Sequence, residues 1–98
     1  MDYIKIGDKK HPFLFAIKAQ REMSKCTDLA TKDDIYFLWL GFKYGAICES
    51  KECPYTEEGL VDLLETDMDL FAECEALLGE QMGKLKAAKA PAMKALLS

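Results

Sequence analysis

"YFLWLGFKYGAI", from Tyr36 to Ile47, carries a single charge, Lys43. A bilayer-spanning helix needs about 20 apolar residues. This run is shorter and is closed by Asp33 and Asp34 on one side and Glu49 on the other. At helical spacing it resolves into two apolar faces. Ile35, Leu38, Trp39, Phe42 and Ala46 make one, and Tyr36, Phe37, Leu40, Tyr44 and Ile47 make the other. A helix apolar round nearly its whole circumference is normally buried on all sides. The segment, about 32–49, is therefore expected either to form the centre of the fold or to keep one face for another protein. Gly41 and Gly45 lie four apart on one flank. Each costs up to about 1 kcal/mol against alanine in a helix, so they are expected to let a neighbour, the preceding helix or an N-terminal hairpin, pack close.

Upstream, Tyr3, Lys5 and Gly7 alternate with Ile4 and Ile6, and "GDKK" supplies turn chemistry. Pro12 cannot donate to a strand ladder and suits an edge. The pattern predicts a β-hairpin over roughly 2–6 and 11–14. From Phe15 the period changes to that of a helix. Phe15, Ala16, Ala19, Met23 and Cys26 share one face while Lys18, Arg21, Glu22 and Lys25 fall opposite. An amphipathic helix over about 14–26 is expected. "CTDLATKDD" breaks it, with Thr31 as the expected cap of the central helix and Asp33 and Asp34 in its first turn, where carboxylates suit the helix dipole.

Downstream, "CESKECPY" reads as a loop closed by Pro54. Thr56 is placed to cap a short helix over about 57–65 with Leu60, Val61 and Leu64 inward. Thr66 with Asp69 approximates a capping box for a last helix. Its stripe is Leu70, Phe71, Cys74, Leu77, Leu78 and Leu85, with Gly79 and Gly83 weakening it. Pro91 is expected to interrupt the Ala/Lys-rich end. The expectation is a mainly α (α+β) fold: an N-terminal β-hairpin followed by about four helices, one domain over 1–86, and a basic, frayed tail over 87–98.

With 98 residues, half of them hydrophobic, the chain suits a single globular domain with a modest core. "MDYIKIGDKKH" lacks the apolar centre of a signal peptide, which points to the cytoplasm. Charge is unevenly spread. Residues 51–80 carry ten Asp/Glu against one Lys, while residues 81–98 carry four Lys and no acid. The acidic block disfavours nucleic acid, because it repels phosphate.

The chemistry-bearing residues are sparse. Cys26, Cys48, Cys53 and Cys74 contain no CxxC pair, and His11 is the one histidine. Paired metal hooks are missing, and the cysteines read as small, reduced side chains. His11 beside Pro12 reads as a surface residue without a role. The carboxylates from Glu57 to Glu80 fall mostly on outer helix faces, and no Asp-x-Asp-x-Asp-Gly loop or phosphate-binding glycine loop occurs. No catalytic residue, cofactor or metal ligand is assigned, and no enzyme is expected.

The order of elements resembles a known family. "IKIGDKKHPFLF", "AIKAQREMSK", "IYFLWLGFKYGA" and "TEEGLVDLLETD" follow one another. They are similar to the short β start, the "GLKYG"-like motif and the threonine-led acidic helix of the small tail assembly chaperones of long-tailed bacteriophages and prophages. Here the motif is "GFKYG", Gly41 to Gly45, and the acidic helix is "TEEGLVDLL", Thr56 to Leu64. The resemblance covers about residues 3–82 and leaves "CESKECPY" and the tail unmatched. It implies a non-enzymatic protein that binds the hydrophobic, helical tape-measure protein in the bacterial cytoplasm while tail-tube subunits assemble. It implies absence from the finished virion and, in many members, a frameshift-extended form.

The surplus apolar surface on the central helix fits such a role. The expected contact residues are Phe37, Leu40, Tyr44 and Ile47, with Leu70 and Leu77 on the last helix. They would receive a client helix or a second copy in a homo-oligomer. The competing outcome is that the hairpin and the other helices bury both faces. Two other classes compete with this one. One is a small regulatory or nucleic-acid-binding protein using the basic tail and Lys9–Lys10. The other is a zinc or metal-dependent module built on the cysteines.

Overall fold

The computed structural model describes the backbone of residues 1–97 and the side chains of residues 1–89. Strands β1 (Asp2–Ile6) and β2 (Lys9–Phe13) form an antiparallel hairpin with Ile4 opposite His11 and Tyr3 opposite Pro12. Its two-residue loop places Gly7 at φ 66°. Two-residue hairpin loops need a positive φ at that first position, and glycine takes it without strain. Helices α1 (Ile17–Ser24), α2 (Asp34–Cys48), α3 (Glu57–Thr66) and α4 (Met68–Leu97) follow, with a 3-10 turn at Leu29–Thr31.

α2 lies at the centre and packs against β2, α1, α3 and α4. Tyr36, Leu38, Leu40, Phe42 and Ala46 are buried, so both apolar faces of the segment are largely inside. The remaining core comes from Ile4 and Phe13 of the hairpin, Phe15 and Ala19, Leu60 and Leu64 of α3, and Leu70, Cys74 and Leu78 of α4. The two glycines face the hairpin. A Cβ on Gly41 would fall under 3.0 Å from the Phe13 ring, and one on Gly45 under 3.0 Å from the backbone of Pro12 and Phe13. The approach also brings the Leu14 amide within 2.9 Å of the Gly41 carbonyl. The missing side chains thus allow strand and helix to meet backbone to backbone.

The caps differ in part from the sequence reading. Thr56 caps α3, accepting from the Gly59 amide at 3.0 Å. α2 is capped by Asp33, which accepts from the Ile35 amide, while Thr31 closes the preceding 3-10 turn by donating to Asp28. α4 is capped by Asp67, which accepts from the Leu70 amide, and Thr66 donates back to Leu63. In both corrections the aspartate lies closer to the first free amides than the threonine does, and a carboxylate also favours a helix N-terminus. α4 runs unbroken through Gly79 and Gly83 and on through Pro91, where a break was expected. The alanines and lysines flanking Pro91 are strong helix formers, and proline removes one backbone donor. Ser98 and the side chains of the tail beyond Lys89 lie outside the described residues.

Candidate functional site

The expected contact residues divide into inside and outside. Leu40 is fully buried and Leu70 nearly so, which leaves neither a face for a partner. The reason is geometric. α2 is covered on nearly all sides by the hairpin and three helices, and Leu70 points into the same core. Phe37, Tyr44 and Leu77 are half-buried at the margin of that core, and Ile47 is 45% exposed. These four are not gathered into one concavity. Tyr44 alone lines an apolar cleft.

That cleft, about 200 Å³, opens between the start of α1 and the end of α2. Leu14, Ala16 and Ile17 form one wall and Tyr44 and Cys48 the other. Ile17 is 64% exposed, the most exposed of the large apolar side chains among the described residues. The same Leu14–Ala16–Ile17 segment borders a second concavity that reaches Met1, Lys84 and Leu85, and a third joins it through Phe15 and Leu85 to Met23 and Met82. The three concavities share lining residues and form a row, the channel, from α2 across the start of α1 to α4, bordered by Lys18, Lys84, Lys86 and Lys89. Three of its side chains are methionines, whose unbranched thioethers adapt to varied partners.

The segment that forms this wall is held by hydrogen bonds. The Phe15 amide donates to Gln81 Oε1 at 2.6 Å, and Gln81 Nε2 donates to the Phe13 carbonyl and to Asp2, each at 3.0 Å. On the α2 side, Glu22 of α1 accepts from Lys43 Nζ and from the Tyr44 hydroxyl, each at 2.6 Å. Burial raises the Glu22 carboxyl, but the bonds from Lys43 and Tyr44 outweigh it and hold its pKa below the usual range. The same bond to Glu22, with burial, pushes the Tyr44 phenol up to about 12. Glu22 falls opposite the apolar face by helical spacing, and its bonds to Lys43 and Tyr44 tie α1 to α2. Lys43, the one charge in the central stretch, also lies 5.0 Å from the Trp39 ring centre, a cation–π contact.

Chemistry-bearing side chains are dispersed. Among the described residues no group of three or more His, Cys, Asp or Glu is disposed around a common point. Cys74 is buried, and burial pushes its thiol up to about 12, so it stays protonated. His11 is not a plain surface residue. Its ring lies edge-on to Phe42 and Tyr55, and Nε2 is 3.3 Å from the Tyr55 hydroxyl. Among the described residues no helix is long and apolar enough to cross a membrane.

Ile17 was missed by the sequence reading, although a signal existed. It falls opposite the Phe15–Ala19–Met23 face of its helix, where an apolar residue has no core to join. Leu14 and Cys48 carried no such signal. Comparison with protein-family models, with curated proteins and with solved structures finds no match to this chain.

Proposed function

We propose that this chain is a non-enzymatic assembly chaperone of the phage-tail type, which holds an apolar helical segment of a tape-measure-like client. The observation that carries the reading is the channel along Leu14, Ala16, Ile17 and Tyr44, with Ile17 standing 64% exposed on its wall. Exposed apolar surface rimmed by polar residues marks interaction sites. An elongated apolar groove suits an amphipathic helix, whose anchors recur every three or four residues. The element order of residues 3–82 supports the same reading.

On this reading the Phe37, Leu77 and Ile47 surfaces border the contact, and Leu40 and Leu70 serve it by keeping α2 and α4 in place. The protein acts in the host cytoplasm beside the tail-tube subunits, self-associates when no client is present, and is left out of the virion. Co-expression with the tape-measure-like protein encoded beside it tests the proposal. The client is expected to move from the pellet to the supernatant. Equal client solubility with and without this chain overturns the reading.

A further inference from the structure

We propose that the lysine-bordered channel docks the acidic α3 face of a second copy of this chain, in a head-to-tail contact. The proposal rests on the reading of the channel as a docking groove, and it names the occupant when no client is present.

The channel carries unmet positive charge. Lys18, Lys84, Lys86 and Lys89 border it, and Arg21 and Lys25 extend the same cationic side of α1. Lys84 is 3.2 Å from Glu80, and Asp2 lies in the lining, where it accepts from Gln81. Glu22 is offset by Lys43 at 2.6 Å. With those three carboxylates counted against the six cations and Lys43, the surface keeps a net charge of +4, on a chain whose total is -4. All six cations except Lys84 have no carboxylate within ion-pair distance among the described residues.

The matching surface lies on the same chain. Residues 52–83 hold ten carboxylates and no lysine or arginine. Among the described residues, the one ion pair reaching this block from earlier in the chain joins Lys32 to Glu57 at 3.9 Å. On α3, Glu58, Val61, Asp62 and Glu65 fall on one exposed face at helical spacing. Val61 is 38% exposed, and Met68, between Asp67 and Asp69, is 63% exposed. Two apolar side chains thus stand among carboxylates, as Ile17 and Met82 stand exposed among lysines.

One molecule cannot join its own two surfaces. Met68 and Met82 are fourteen residues apart on α4, about 21 Å along the helix. Between copies the apolar anchors supply affinity by burial, while opposite charge steers the encounter and selects the partner. The acidic face is present at the same concentration as the channel, because every copy carries both. A contact between two different surfaces is heterologous, so association continues beyond a dimer. A client helix seated in the channel ends that growth, because it takes the place of α3.

Sedimentation of the full chain without client tests this. In low salt the mass is expected to rise with concentration past twice the 11.0 kDa of one chain. It is expected to fall back in about 1 M salt, where charges are screened within about 3 Å. Two double variants probe the two sides: Lys18→Glu with Lys86→Glu on the channel border, and Asp62→Lys with Glu65→Lys on α3. All four side chains are exposed, so both proteins are expected to fold as the parent does, read by circular dichroism. Each alone sets like charges across the contact and is expected to associate at least about tenfold more weakly. Mixed in equal amounts, they place opposite charges at every contact, and association is expected to return. A mixture that stays monomeric overturns the head-to-tail contact, and so does either variant associating like the parent. A parent that stays monomeric up to about 1 mM in low salt overturns self-docking and leaves the client reading standing. Failure of client solubilisation with association intact overturns the client reading alone.

Discussion

Phe15 and Gln81 are joined across the fold: the Phe15 amide donates to Gln81 Oε1, and the same amide side chain returns a bond to the Phe13 carbonyl. Gln81 is only 6% exposed, and it is the one polar side chain buried in this way among the described residues. It closes the backbone where β2 ends and the chain turns toward α1, a stretch otherwise tied to the core by the Leu14 amide on the Gly41 carbonyl. Gln81→Ala leaves a donor and an acceptor unpaired in the interior. A loss of about 2–4 kcal/mol is expected, read as a lower urea midpoint with an unchanged slope.

The α2 glycines give a paired prediction. Alanine normally gains up to about 1 kcal/mol over glycine inside a helix. At Gly45 the added Cβ meets the Pro12 and Phe13 backbone, which cannot rotate away, and at Gly41 it meets the Phe13 ring. Both Gly41→Ala and Gly45→Ala are expected to destabilise by about 1–3 kcal/mol or more, with Gly45→Ala the worse. Nothing lies within 4 Å of a Cβ added at Gly79 or Gly83. There the same change is expected to stabilise, by up to about 1 kcal/mol. Thermal melts of the four variants check the order.

These two cases show what a sequence carries and what it withholds. The spacing of Gly41 and Gly45 announces a close approach, and the alternation of Ile4 and Ile6 announces a strand, because both signals are local. The Thr56 cap is legible for the same reason. Gln81 reads as an ordinary helix-surface residue, since its partners lie 66 to 79 residues away in the chain. His11 reads as exposed for the same reason, its partner Tyr55 being 44 residues on. Caps at Asp33 and Asp67 were ambiguous because a threonine stands close before each. Leu40 and Leu70 looked like spare surface because periodicity counts apolar positions on a helix without counting the neighbours that cover them. The half-exposed margin at Tyr44 and Ile47 was legible, but its continuation onto Leu14 and Ile17 depends on how α1 meets α2.

Glu75 sets a pH dependence. One carboxylate oxygen is buried without a partner, and burial, then the charge of Asp34, raises its pKa. A folded-state pKa above the unfolded value means that the folded chain binds the proton more tightly. Stability contributed this way is full below the unfolded pKa and falls as pH rises through the folded one. Glu75→Gln keeps the shape and removes the charge. It is expected to raise stability by about 1 kcal/mol at neutral pH and to leave it unchanged in acid where both carboxyls are protonated. Urea midpoints measured across the acidic range up to neutrality test this, and a gain that persists in acid would exclude the charge as its cause.

Ile17 and Leu40 separate folding from holding. Ile17 is mostly exposed on the channel wall, whereas Leu40 of α2 is fully buried in the core. Ile17→Ser removes little buried area, so its stability is expected to stay within about 0.5 kcal/mol of the parent. If the channel receives a client helix, that substitution puts a hydroxyl where an apolar anchor seats, and Ile47→Ser trims the margin of the same contact. Client solubilisation is expected to fall severalfold for Ile17→Ser and less for Ile47→Ser, with both proteins folded. Leu40→Ala opens a core cavity and is expected to lose about 2–5 kcal/mol, so it loses client holding only as it loses structure. Parallel circular dichroism melts and co-expression pellets distinguish the two. An Ile17→Ser protein that is folded and holds the client as well as the parent places the contact elsewhere than this channel.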